Sequence, residues 1–124
     1  MLYKHKEKIL SVHFFKTSTG KEPVRDWLKS RKPEDKKAIG ENIKAVEFLW
    51  PTGYPQVTKL DKDLWEVRID LQNGICRVFF TVWNRYMVLL HSMIKKSQKL
   101  PKQDFDLAKK RRNMVLAKGI TDEK

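Results

Sequence analysis

Hydrophobic and polar positions alternate with a period of two between Leu64 and Ile94. Successive side chains on a strand point to opposite faces. Trp65, Val67 and Ile69 therefore share one face, and Glu66 and Arg68 the other. On the next run Cys76, Val78, Phe80 and Val82 form an apolar row, with Ile75, Arg77 and Phe79 on the opposite side. Asn73-Gly74 is a hairpin signal, and Asn84-Arg85 supplies a second turn before Tyr86 to Ile94. The pattern predicts a three-stranded antiparallel meander ending in Lys95 and Lys96. Its face with Val67, Val78 and Phe80 is expected to support helices. Its other face, with Arg68 and Arg77, is expected to form an open cleft.

The rest of the chain supplies elements to cover that sheet. Ile9 to Phe15 predicts an N-terminal strand, and Thr17 to Gly20 a loop. Pro23 suits the first turn of a short helix whose Val24, Trp27 and Leu28 recur at helical spacing. Pro33 opens a longer helix with Glu34 and Asp35 in its first turn. Ile39, Ile43, Val46 and Trp50 form its inner stripe, and Pro51, Gly53 and Pro55 end it. The two helices are expected to pack as a hairpin. Gln56 to Lys62 reads as a link. Ser97 to Leu100 reads as a polar loop. Pro101 then opens a last helix running to about Lys118, with Gly119 at its C′ position and Phe105, Ala108 and Val115 facing inward. The expectation is an α+β fold: N-terminal strand, helical hairpin, three-stranded antiparallel meander, C-terminal helix. It forms one domain over residues 1–124, with a core from about 9 to 118 and a loosely anchored polar start.

Charge changes the picture more than composition does. The 124 residues include 27 Lys and Arg against 15 Asp and Glu, a formal net charge of +12. Such a surface favours a polyanionic partner: nucleic acid, an anionic membrane or an acidic protein. No apolar run approaches the roughly 18 residues that span a bilayer, and no secretory signal precedes the domain. No membrane association and a cytoplasmic location are expected. The lone cysteine, Cys76, sits in an apolar strand position and reads as a small core residue.

Several chemistries lack their parts. His5, His13 and His91 have no metal-ligand spacing, there is no glycine-rich phosphate loop, and the carboxylates are scattered. No metal or other cofactor is expected. What remains is cationic chemistry. RNA carries its own nucleophile, the 2′-hydroxyl. Its cleavage needs a base, an acid for the leaving 5′-oxygen, and positive charge near the phosphorus. Arg68, Arg77, Lys95 and Lys96 form a set with those properties, or a passive phosphate-binding patch. Lys59, Lys99, Lys109 and Arg112 are further candidate nucleic-acid contacts, as is His91, and Phe79 is a candidate for stacking on a base.

The local strings resemble a known family. Leu64-Trp-Glu-Val-Arg68, Gly74-Ile-Cys-Arg-Val-Phe-Phe80, Leu89-Leu-His91, and Lys95-Lys-Ser-Gln-Lys99 followed by Pro101 look like the phage-derived, HigB-like branch of the RelE/ParE toxin superfamily. Gly20-Lys-Glu-Pro-Val24 and Ala108-Lys-Lys-Arg-Arg112 fit the same branch. The resemblance implies a small RelE-like fold and the toxin of a type II toxin–antitoxin pair. It implies a ribosome-dependent endonuclease that cuts mRNA in the A site of the 30S subunit, with a HigA-like helix-turn-helix antitoxin as cognate partner. By the same resemblance Arg77 would hold the scissile phosphate. Arg68 would be a basic residue of the preceding strand, and Lys95 and Lys96 would stabilise the transition state and protonate the leaving group. Glu66 stands where RelE itself has a lysine, which leaves Lys95, Glu66 or a ribosomal group as general base. Competing classes are a ParE-like gyrase inhibitor and a basic nucleic-acid-binding module.

Overall fold

A computed structural model describes residues 7–51, 54–96 and 99–120. The sequence-based readings of the polar start before Glu7, of Gly53 and of Ser97-Gln98 fall outside them. The elements run β1 (Ser11–Phe14), α1 (Pro23–Lys29), α2 (Pro33–Leu49), β2 (Val57–Asp61), β3 (Leu64–Leu71), β4 (Gly74–Trp83), β5 (Tyr86–Lys95) and α3 (Lys102–Lys118). The fold is α+β, with three helices and a five-stranded mixed sheet ordered β1-β5-β4-β3-β2. The β2–β3, β3–β4 and β4–β5 pairs are antiparallel, and β1 joins β5 in parallel.

Two features differ from the expectation. The stretch read as a link contains β2, an edge strand on β3. Its pattern is short and interrupted by charge at Lys59 and Asp61, so periodicity alone does not reveal it. The helices α1 and α2 also lean on the sheet more than on each other: α1 packs on β5 and β1, and α2 on β3.

Each face of the sheet carries its own core. On one face Val67, Ile69, Cys76, Val78, Phe80, Met87 and Leu89 meet Val24 of α1 and Ile39, Ile43 and Val46 of α2. On the other, Leu64, Phe79, Val88, Leu90 and Met93 meet Ala108 and Val115 of α3. The face expected to be an open cleft is thus largely roofed by α3. The physical reason lies in the strands, which carry apolar residues on both faces, as sheets covered on both sides do. Among the described residues no helix is long and apolar enough to cross a membrane.

The first strand is tied to α2 by a buried carboxylate. Glu47 accepts from the Val12 backbone N–H through Oε2 (2.8 Å) and lies 3.3 Å from the Lys8 ammonium. The Glu47 carbonyl accepts from the N–H groups of Ile9 and Leu10.

Candidate functional site

A bulge in β5 sets up the site. Phe80 lies opposite Leu89, but Phe79 lies opposite His91, so β5 carries one extra residue between those pairs. Such a bulge turns a strand and re-aims its side chains. Beyond it the ladder is His91 on Phe79, Met93 on Arg77 and Lys95 on Ile75. β3 continues the same rows with Glu66 on Phe79, Arg68 on Arg77 and Asp70 on Ile75. One face therefore carries Glu66, Phe79 and His91 in its inner row, Arg68, Arg77 and Met93 in the middle, and Asp70, Ile75 and Lys95 at the open end.

On β3 and β4 exposure rises toward the open end. Glu66 is 2% exposed and Arg77 4%. Nη1 of Arg77 donates to both carboxylate oxygens of Glu66, at 2.9 and 2.8 Å. His91 is partly covered; its Nε2 lies 2.6 Å from Oδ1 of Asp104 in the first turn of α3. Its ring stacks on Phe79 at 5.7 Å with 13° between planes. The contact with the carboxylate fixes the orientation of the ring. Arg68, Lys95, Lys96 and Lys99 are exposed. Strand spacings put the Arg68 and Lys95 backbones about 12 Å apart, with two strand gaps across and two residues along. Gly74 contributes through its backbone. Its φ of 151° is open to glycine, and a Cβ there would lie 3.0 Å from the Lys95 carbonyl oxygen.

Three expected contact residues are placed differently. Arg77, expected to grip a scissile phosphate, is buried with Glu66 on its guanidinium. Phe79, expected to stack on bases, is fully buried and stacks on His91. Arg112 is 9% exposed and clamps α3 to the β2–β3 turn, donating from Nη1 to Asp61 (2.6 Å) and to the Lys62 carbonyl (2.8 Å). Burial explains all three: α3 packs over Phe79 and turns its own Arg112 onto the β2–β3 turn, and Glu66 takes the guanidinium of Arg77. Lys109 lies on α3 above the Phe105 ring, 3.7 Å from Asp106. Lys59 lies on β2, across from Trp65 on the opposite face of the sheet.

Sequence reasoning also missed partners. Asp104 is thirteen residues from His91, beyond any local spacing rule. Arg111 reaches from α3 to the Leu90 carbonyl at the bulge (2.8 Å). Burial depresses the Arg111 pKa from its ordinary value. His91, Ser92 and Arg111 line a cavity of about 190 Å³ with Pro23, Val24 and Trp27 of α1 and Leu107 of α3. Among the described residues, no three His, Cys, Asp or Glu side chains gather as a metal-binding group.

The arrangement offers separated cations on a rim, a carboxylate-oriented imidazole behind them, and a neutralised ion pair below. It can hold a polyanion and exchange a proton beside it. Among curated proteins, none matches the chain. Residues 26–113 match the family described as phage derived protein Gp49-like (DUF891), a span that covers α2, strands β2 to β5 and most of α3. The chain belongs to this family of phage-derived, toxin-like proteins.

Proposed function

We propose that the protein is the toxin of a type II toxin–antitoxin pair and acts as a ribosome-dependent mRNA endonuclease. The observation that carries this reading is the exposed rim of Arg68, Lys95 and Lys96 beside an imidazole held by Asp104, in a chain of a toxin-like family. Cationic groups and one oriented imidazole supply what RNA transesterification asks of an enzyme. The 2′-oxygen bonds to phosphorus as its proton leaves to a base, and the 5′-oxygen departs with a proton from an acid. Arg68 and Lys95 are suited to the phosphate oxygens, and Lys96 to the leaving oxygen. His91 is suited to proton transfer. Glu66 is engaged by Arg77, which makes it a poor base and gives Arg77 the part of a positioning residue. The cognate antitoxin would be an acidic or mixed-charge, HigA-like helix-turn-helix protein able to cover the +12 chain.

The test is induction in growing cells with mapping of new mRNA 5′ ends. New ends at codon-related positions in translated messages are expected. Growth arrest with intact mRNA and altered DNA supercoiling would reject cleavage in favour of gyrase inhibition.

A further inference from the structure

The opposite face of the sheet carries an aromatic pocket at its β2 edge. The register aligns Lys59, Trp65 and Phe80 across β2, β3 and β4. Trp65 is thus flanked on both sides. Its ring stacks on Phe80 at 5.9 Å and 22°, and the Lys59 ammonium lies 6.0 Å from its centroid. Trp50, at the end of α2, meets Trp65 edge-on at 4.9 Å and 89°. Val46, Tyr54 and Val57 complete a cavity of about 220 Å³. That is well over ten times the roughly 10–15 Å³ a single water needs. Trp50, Tyr54 and Trp65 are only partly covered.

This combination differs from a core defect. A core cavity is sealed and apolar, whereas this one opens at an edge strand and carries a lysine poised over an indole. Flat aromatic walls with a cation at the mouth suit a flat, electron-rich ring joined to an anion. A nucleobase with its phosphate has that chemistry. Stacking is tolerant of base identity because every base has a π-face. The net charge of +12 favours the same ligand over an apolar peptide. We infer that this pocket is a nucleobase subsite for single-stranded RNA. A base stacks on Trp65 against the edge of Trp50, and Lys59 swings outward to the adjoining phosphate. The subsite lies on the other face of the sheet from the Arg68–Lys95 rim, so it holds RNA away from any cleaved bond. The inference rests on the RNA-directed reading above and adds a place for the strand to anchor.

The test uses the whole chain, a short oligoadenylate, and polyphosphate of matched charge. Oligoadenylate is expected to quench tryptophan fluorescence, and polyphosphate to bind without quenching. Trp65→Phe, checked for an unchanged melting curve, should lose most of the quench and weaken oligoadenylate binding roughly tenfold, the scale of one stacked base. Lys59→Ala, on the exposed edge, should lower the salt dependence of binding by about 0.7, the contribution of one phosphate on a single strand. An undiminished quench in folded Trp65→Phe, or an unchanged salt slope in Lys59→Ala, would overturn the subsite. Messenger cleavage in cells reads the parent proposal separately. Cleavage without stacking rejects the pocket alone; stacking without cleavage rejects the endonuclease alone.

Discussion

Glu66 on β3 holds Arg77 on β4 by directing both carboxylate oxygens at one guanidinium nitrogen, with both side chains almost fully buried. Their positions are diagonal, because Arg68 is the residue directly across from Arg77. The like charges of Arg68 and Arg77 are kept compatible by that carboxylate. Removing one partner of a buried pair leaves a charge the interior cannot solvate, at a cost of about 3–5 kcal/mol. Glu66→Leu and Arg77→Leu should each lower stability on that scale in urea unfolding. The double variant should lose less than the sum of the two. An Arg77→Leu protein of undiminished stability and no activity would instead make Arg77 a direct phosphate ligand.

The rim should behave oppositely. Arg68, Lys95 and Lys96 are exposed, so alanine at each should change stability by no more than about 0.5 kcal/mol. Growth inhibition on induction should nevertheless fall sharply. For Lys96→Ala the expected signature is slower cleavage with ribosome binding retained. An equal loss of ribosome affinity would make Lys96 a docking residue.

The contact between His91 and Asp104 gives a separate test of proton transfer. His91→Ala should reduce cleavage by about 10²-fold or more, the scale of general acid–base catalysis. Asp104→Asn keeps the shape and removes the charge, and should reproduce part of that loss with unchanged RNA binding. Equal cleavage by wild type and His91→Ala would remove the imidazole from the chemistry.

The acid limb of stability should report on Arg112. Its hydrogen bond to Asp61 holds that carboxyl below the ordinary 3.8. The stabilisation is complete above the ordinary value and is lost as pH falls below it, through the lowered pKa. Asp61→Asn should therefore lie below wild type in stability at neutral pH and converge with it in acid. Parallel profiles for the two proteins would count against the clamp.

Cys76 offers a probe of the core. Burial pushes its thiol up to about 12, and the Asp35 carboxylate adds to the shift. The thiolate is the reactive form. A disulfide reagent at mildly alkaline pH should leave Cys76 unmodified in the folded protein and label it fully in denaturant. Rapid labelling of the native state would show that the α2 face opens.

The elements other than β2 were legible along the chain because they obey local rules. Pro23 and Pro33 open helices α1 and α2 as helix geometry requires, and Asn73 and Asn84 mark turns that the strands then obey. The row of Cys76, Val78 and Phe80 alternates into the α1–α2 core as its period demands. The family likewise rests on ordered strings of sequence and matches residues 26–113. What tertiary structure decided is which charged residues meet solvent. The reason is that burial depends on elements distant in sequence. Strict alternation from Met87 and Leu89 would have aimed His91 and Lys95 into the α1–α2 side. One extra residue in β5 turns both to the face that carries Arg77. The final helix then packs over Phe79, clamps its own Arg112 to the β2–β3 turn, and brings Asp104 to His91. The sequence by itself determined a basic α+β domain of a toxin-like family. A bulge and a packed helix, both set by contacts between distant residues, decided which of its cations are exposed at the rim.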